Sequence, residues 1–152
     1  MRLILECKPD EQLAKSLGIP RRSIIHQNDK GEVCNYLRKY TANIGLIDED
    51  PKSAQPKLLM AAPIIEEKHQ IKIRKSPIGF RLIVICPKLE DWLITTAMQS
   101  NIEIKEFGLS DSPNQLHREI NNKLDRLDLL VKRLLESKSE RILYLQSLIL
   151  NP

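Results

Sequence analysis

Apolar residues in this chain come in short runs separated by polar, proline or glycine breaks, and the period of each run predicts an element. Residues 2–8, around Leu3-Ile4-Leu5, read as a buried strand. Pro9, Asp10 and Glu11 open a helix whose Leu13 and Leu17 lie one turn apart, and Gly18 ends it. Ser23-Ile24-Ile25-His26 predicts a second strand. Asp29 caps a helix from Gly31 to Tyr40 that carries Val33, Cys34 and Leu37 on one face, and residues 43–48 predict a third strand. Strands alternating with helices through the first fifty residues are the pattern of an α/β domain with parallel strands.

The pattern changes after Asp50. Pro51, Pro56 and Pro63 favour a loop, with a helical turn over Leu58 to Ala62 as the alternative. Gln70 to Arg74 alternates polar and apolar and reads as an exposed strand. Phe80 to Cys86 is the most β-prone run and reads as a central strand that Pro87 ends. A helix from Leu89 to Gln99 follows, with Trp92 as a core residue, and then Ile102-Glu103-Ile104 as a short strand or an irregular link. From Asp111 on, Leu116, Ile120, Leu124, Leu127, Val131 and Leu134 recur at spacings of three and four. Fewer than three heptads carry this stripe, which favours a core-facing helix over a homodimer seam. Arg141 to Leu150 predicts the last helix. The expected architecture is a mostly parallel sheet of about four strands flanked by helices over residues 1–110. A helical extension over 111–152 packs on it or serves association.

Composition narrows the function classes. A chain of 152 residues with 41% apolar and 29% charged residues suits a soluble globule with a real core. No stretch approaches the ~18 apolar residues of a membrane span. An acid at position 6 also interrupts the N-terminus too early for a signal peptide, so a cytoplasmic location is expected. Cys7, Cys34 and Cys86 lack CxxC spacing, which fits reduced thiols and not a zinc site. The net charge of +4 permits a polyanionic partner. Much of the excess lies between Lys68 and Arg81, as a solvated hairpin face or a phosphate-contacting patch.

The chemistry concentrates at strand ends. The run Asn43 to Ile47 stops on Asp48-Glu49-Asp50, and side-chain alternation puts Asp48 and Asp50 on one side. Leu3-Ile4-Leu5 stops on Glu6, and Asp10 opens the helix behind it. Two carboxylates about 4 Å apart repel by roughly 4 kcal/mol at an effective dielectric near 20, and a hard divalent cation relieves that. The alternative for Asp48 and Asp50 is helix capping, which Pro51 opposes. Glu90 is either a further metal-site acid or a first-turn acid matching the helix dipole. His26 is a structural histidine or a crevice residue, and His69 and His117 carry no functional signal.

Leu3-Ile4-Leu5-Glu6-Cys7-Lys8-Pro9-Asp10 resembles the first motif of the Toprim (topoisomerase–primase) domain, hydrophobic-E-G-K-x-D, with Cys7 in place of its glycine. Ile44-Gly45-Leu46-Ile47-Asp48-Glu49-Asp50 resembles the D-x-D motif of the same family. Lys30-Gly31-Glu32-Val33 and Cys86-Pro87-Lys88-Leu89-Glu90-Asp91-Trp92-Leu93 are similar to segments of small Toprim-like proteins related to the overcoming-lysogenization-defect nucleases of bacteria. Residues 2 to about 95 carry the resemblance.

It implies nuclease-like phosphodiester chemistry on nucleic acid with Mg²⁺ (or Mn²⁺). Glu6, Asp48 and Asp50 then hold the metal, and Glu6 also serves as acid/base. Asp10 is an auxiliary catalytic acid, and Lys8 and Lys30 contact phosphate. The resemblance also implies a separate ATPase-type protein partner. Two other functions remain open: a non-catalytic Toprim-like interaction module that uses residues 111–150, and a receiver-like phosphoryl-transfer domain with Lys88 as its lysine.

Overall fold

The computed structural model describes all 152 residues. Six strands form one sheet: β1 (Leu3–Leu5), β2 (Ile24–His26), β3 (Ile44–Asp48), β4 (Ile64–Lys68), β5 (Ile71–Lys75) and β6 (Arg81–Ile85). Their order is β2-β1-β3-β6-β5-β4. The first four in that order run parallel, while β5 and β4 are antiparallel to their neighbours. The architecture is therefore α/β as expected, but the sheet is mixed and six-stranded, which corrects the count of about four mostly parallel strands.

The added strand is β4, and its sequence hides it for a physical reason. All five of its residues are exposed, so no alternation of burial imprints a strand pattern. The turn that joins it to β5 is His69-Gln70, with φ of 55° and 58°, in place of the glycine-bearing pairs that usually announce such a hairpin. β5 differs from its expected exposure in the opposite sense. Ile71 and Ile73 are fully buried, and only the alternate residues reach solvent.

Seven α-helices cover the sheet: α1 (Lys8–Ser16), α2 (Lys30–Lys39), α3 (Lys57–Met60), α4 (Leu89–Gln99), α5 (Pro113–Glu119), α6 (Leu124–Glu136) and α7 (Glu140–Leu150). Strand alternation divides them between two layers. Leu3, Leu5, Leu46, Ile83 and Ile85 face one side and pack with Leu13, Trp92, Leu130, Val131 and Leu145 from α1, α4, α6 and α7. Ile4, Ile47, Leu82 and Val84 face the other side and pack with Val33, Leu37 and Leu59 from α2 and α3.

The apolar stripe after residue 111 points into the larger of these cores. Leu116, Ile120, Leu127, Val131 and Leu134 are all at most 1% exposed. A short 3-10 turn at Ile120–Asn122 breaks that stripe into two helices. The segment around Ile104 is an irregular link ending in a 3-10 turn, Ile104–Phe107, and not a strand. No helix is long and apolar enough to cross a membrane.

Candidate functional site

β1, β3 and β6 lie side by side and point their carboxyl ends to the same edge, β1 stopping at Leu5 opposite Leu46 and β3 and β6 running on to Asp48 opposite Ile85. The residues that follow each strand therefore meet at one edge of the sheet, where ligands collect in parallel α/β folds. A crevice of about 740 Å³ opens there, lined among others by Glu6, Lys30, Asp48, Asp50, Lys88 and Glu90.

The Asp48-Glu49-Asp50 triplet splits between two faces. Asp48 and Asp50 line the crevice, whereas the Glu49 carboxylate turns the other way to bond Lys72 of β5 and the Cys86 thiol. Pairing with the segment after β6 continues past β3: Glu49 N donates to Ile85 O and Asp50 N to Pro87 O, both at 2.8 Å. Asp50 adopts a left-handed φ of 38°, which aspartate tolerates better than most residues. Its Oδ1 lies 3.6 Å from Lys88 Nζ.

Behind this rim the carboxylates are starved of partners. Asp10 is 1% exposed, and neither of its oxygens has a hydrogen-bond partner. Burial, only partly offset by the thiol and amide of Cys7 beside it and reinforced by the charges of Glu6 and Glu90, pushes its carboxyl up to about 7. Asp48 is held well above the usual carboxylate range by burial and by the charge of Asp10. Its Oδ2 accepts from Leu89 N at the start of α4 at 3.1 Å, while Oδ1 has no partner. Glu90 Oε1 lies 3.0 Å from His117 Nδ1, and its Oε2 is also unpartnered. Burial raises Glu6 as well, against the attraction of Lys30.

A buried, unmatched acceptor costs about 1–3 kcal/mol, and more when it is charged. Shared protons or a cation would remove that cost for the oxygens orphaned on Asp10, Asp48 and Glu90. No three His, Cys, Asp or Glu side chains are grouped as a ready-made metal cage. Mg²⁺ is commonly held by one or two carboxylates plus waters and phosphate oxygens.

The lysines divide. Lys30 lines the crevice but is 7% exposed, and its Nζ donates to Glu49 O at 2.8 Å and Ser53 Oγ at 2.7 Å. It therefore fastens the loop that carries the aspartates and keeps one N–H in reserve. Lys8 is exposed at the first position of α1 and does not line the crevice. Of the basic 68–81 segment, Lys72 bonds Glu49, and Arg74 donates to the carbonyls of Leu59 and Ala62. His26 lies outside the crevice lining and bonds Glu6 O at 2.8 Å.

Cys7 caps α1, with its Sγ 3.5 Å from Asp10 N, at φ −135°. This is ordinary extended backbone that requires no glycine. Lys88, expected only on the receiver-like reading, lines the crevice, and so do His117 and Asn121, which no reading placed there. Lys88 was legible from its place after a strand end. His117 and Asn121 had no signal, because the contact with Glu90 spans 27 residues and two helices. No family model matches this chain, and comparison with curated proteins and with solved structures likewise gave no match.

Proposed function

We propose that the chain carries out Mg²⁺- or Mn²⁺-dependent phosphodiester chemistry on nucleic acid, as its Toprim resemblance implies. One observation carries this reading: Glu6, Asp48 and Glu90 line the crevice at the carboxyl edge of the parallel strands, and buried oxygens of Asp48, Glu90 and the adjacent Asp10 are left unmatched. Glu6, Asp48 and Asp50 would hold the cation, with Asp10 and Glu90 behind them. When bound, the ion supplies positive charge to the scissile phosphate and its leaving oxygen.

The chain's own residues perform the remaining tasks. Lys88, beside Asp50, and the spare N–H of Lys30 orient non-bridging phosphate oxygens as point charges. Glu6 is partly buried with a raised carboxyl and moves the proton. The open crevice gives a nucleic-acid strand access to these groups, and a separate ATPase-type partner would present or clamp that strand.

The test is nicking of plasmid and single-stranded nucleic acid with Mg²⁺ or Mn²⁺. Wild type should nick, Asp48→Ala should fall to background, and Glu6→Gln should lose about 10²-fold or more. If neither metal raises the wild type above Asp48→Ala, the isolated chain is no nuclease, and the non-catalytic interaction module takes its place. Metal affinity that survives the loss of both Asp48 and Asp50 would overturn the assignment of the ligands.

A further inference from the structure

A second cavity lies at the other end of α4, about 15 Å along the helix axis from Glu90 at the 1.5 Å rise per residue. It encloses about 290 Å³, and no hydrophobic residue lines it. Ser100 closes α4 on one side, and Ser137, Lys138 and Ser139 form the turn between α6 and α7 on the other. The first turn of α7 borders it as well. Ser139 takes up two of that turn's amides, its Oγ accepting from Ile142 N and its carbonyl from Leu143 N, which leaves those of Glu140 and Arg141 free.

Arg141 makes this cavity more than a helix end. Arg141 is one of the residues that line the cavity, yet it is 5% exposed and forms no ion pair with any carboxylate. Nε donates to Thr96 Oγ1 at 2.8 Å and Nη2 to Gln70 Oε1 at 3.0 Å, both neutral acceptors. The guanidinium stacks 5.0 Å from the Trp92 ring centre, and Nη1 makes no hydrogen bond within the protein. A buried cation without a counter-charge costs several kcal/mol. Burial accordingly lowers the pKa of Arg141, with no neighbouring acid to offset it. Lys138 adds a second positive charge at the rim. The one acid there, Glu140, is exposed and keeps its carboxylate in water.

We propose that this cavity binds a small phosphate anion, free or as a phosphate monoester, with Arg141 as its principal ligand and Lys138, the Ser100 and Ser139 hydroxyls and the free α7 amides around it. The planar guanidinium presents its remaining donors in the fork that matches an oxyanion, and the helix dipole favours the same charge. The site is independent of the metal chemistry at the crevice and should bind without any cation.

Isothermal titration calorimetry of the full chain in EDTA and phosphate-free buffer tests this, with inorganic phosphate and phenyl phosphate as probes. Wild type should bind one equivalent of inorganic phosphate saturably, and Lys88→Gln at the crevice should bind equally well. Arg141→Gln should weaken binding at least tenfold with its circular dichroism unchanged. If that variant does not fold, Lys138→Glu and Ser100→Asp, which place negative charge at the rim, should each weaken binding several-fold. No saturable heat with either probe, loss of binding in Lys88→Gln, or unchanged binding in the folded rim variants would each overturn the proposal. A chain that takes up an oligonucleotide but neither small phosphate would overturn it too.

Discussion

Together with Asp48, Asp10 carries the electrostatic cost of the crevice. With its carboxyl at about 7 in the folded chain and near 3.9 in an unfolded one, the folded state binds the extra proton between those values. Unfolding then releases that proton, so this group's contribution to stability is fully present at about pH 4 and is lost as pH rises through about 7. In metal-free buffer, thermal unfolding should show stability falling across that interval. Asp10→Asn should flatten the slope and stabilise the protein at pH 8 by on the order of 1–3 kcal/mol. A slope unchanged in the variant would mean that Asp48 or Glu6 holds the proton instead. Divalent cation at pH 8 should raise the unfolding temperature of wild type more than that of Asp48→Ala, which calorimetric scans check.

At the scale of elements, β3 carries the aspartates and depends on one small residue. A Cβ at Gly45 would stand 2.5 Å from Leu82 Cδ2 and 2.8 Å from Leu37 Cδ1, so α2 packs directly on the strand's backbone. Gly45→Ala should cost about 1–3 kcal/mol by overpacking, read as a lower urea midpoint, and should disturb Asp48 three residues further along the same strand. β1, β3 and β6 were legible in the sequence because burial on both faces makes them continuous apolar runs, of which β1 and β3 end on acids. That legibility extends to Glu6, Asp48 and Asp50 at the crevice, since strand ends and side-chain alternation are local properties. It fails for β4, whose exposure erases the pattern. It fails also for His117 and Arg141, whose partners lie 27 residues or more away and leave no periodic trace.

Across the whole molecule, the C-terminal helices and the sheet share one core. Leu127, Leu130, Val131, Leu134, Ile142 and Leu145 are fully buried in it, each worth about 1.5–3 kcal/mol of burial. Together they are comparable to the whole 5–15 kcal/mol by which domains of this size are typically stable. A fragment of residues 1–110 should therefore fail to unfold cooperatively and should expose Trp92 to solvent, visible as a red-shifted emission. It would also lose the crevice wall formed by His117, Ile120 and Asn121.

Glu49 stands between the two aspartates and faces away from them, tied to Lys72 on the antiparallel hairpin. The strand end thus works as a lever with a load on each side: carboxylates in the crevice, and a hairpin arm reaching to the sheet's outer edge. Seating an ion at Asp48 should tighten that arm, so slower amide exchange along Ile71 to Lys75 would report occupancy of a crevice the hairpin never enters. Cutting the tie with Lys72→Met should leave the aspartates in place but silence that distant signal.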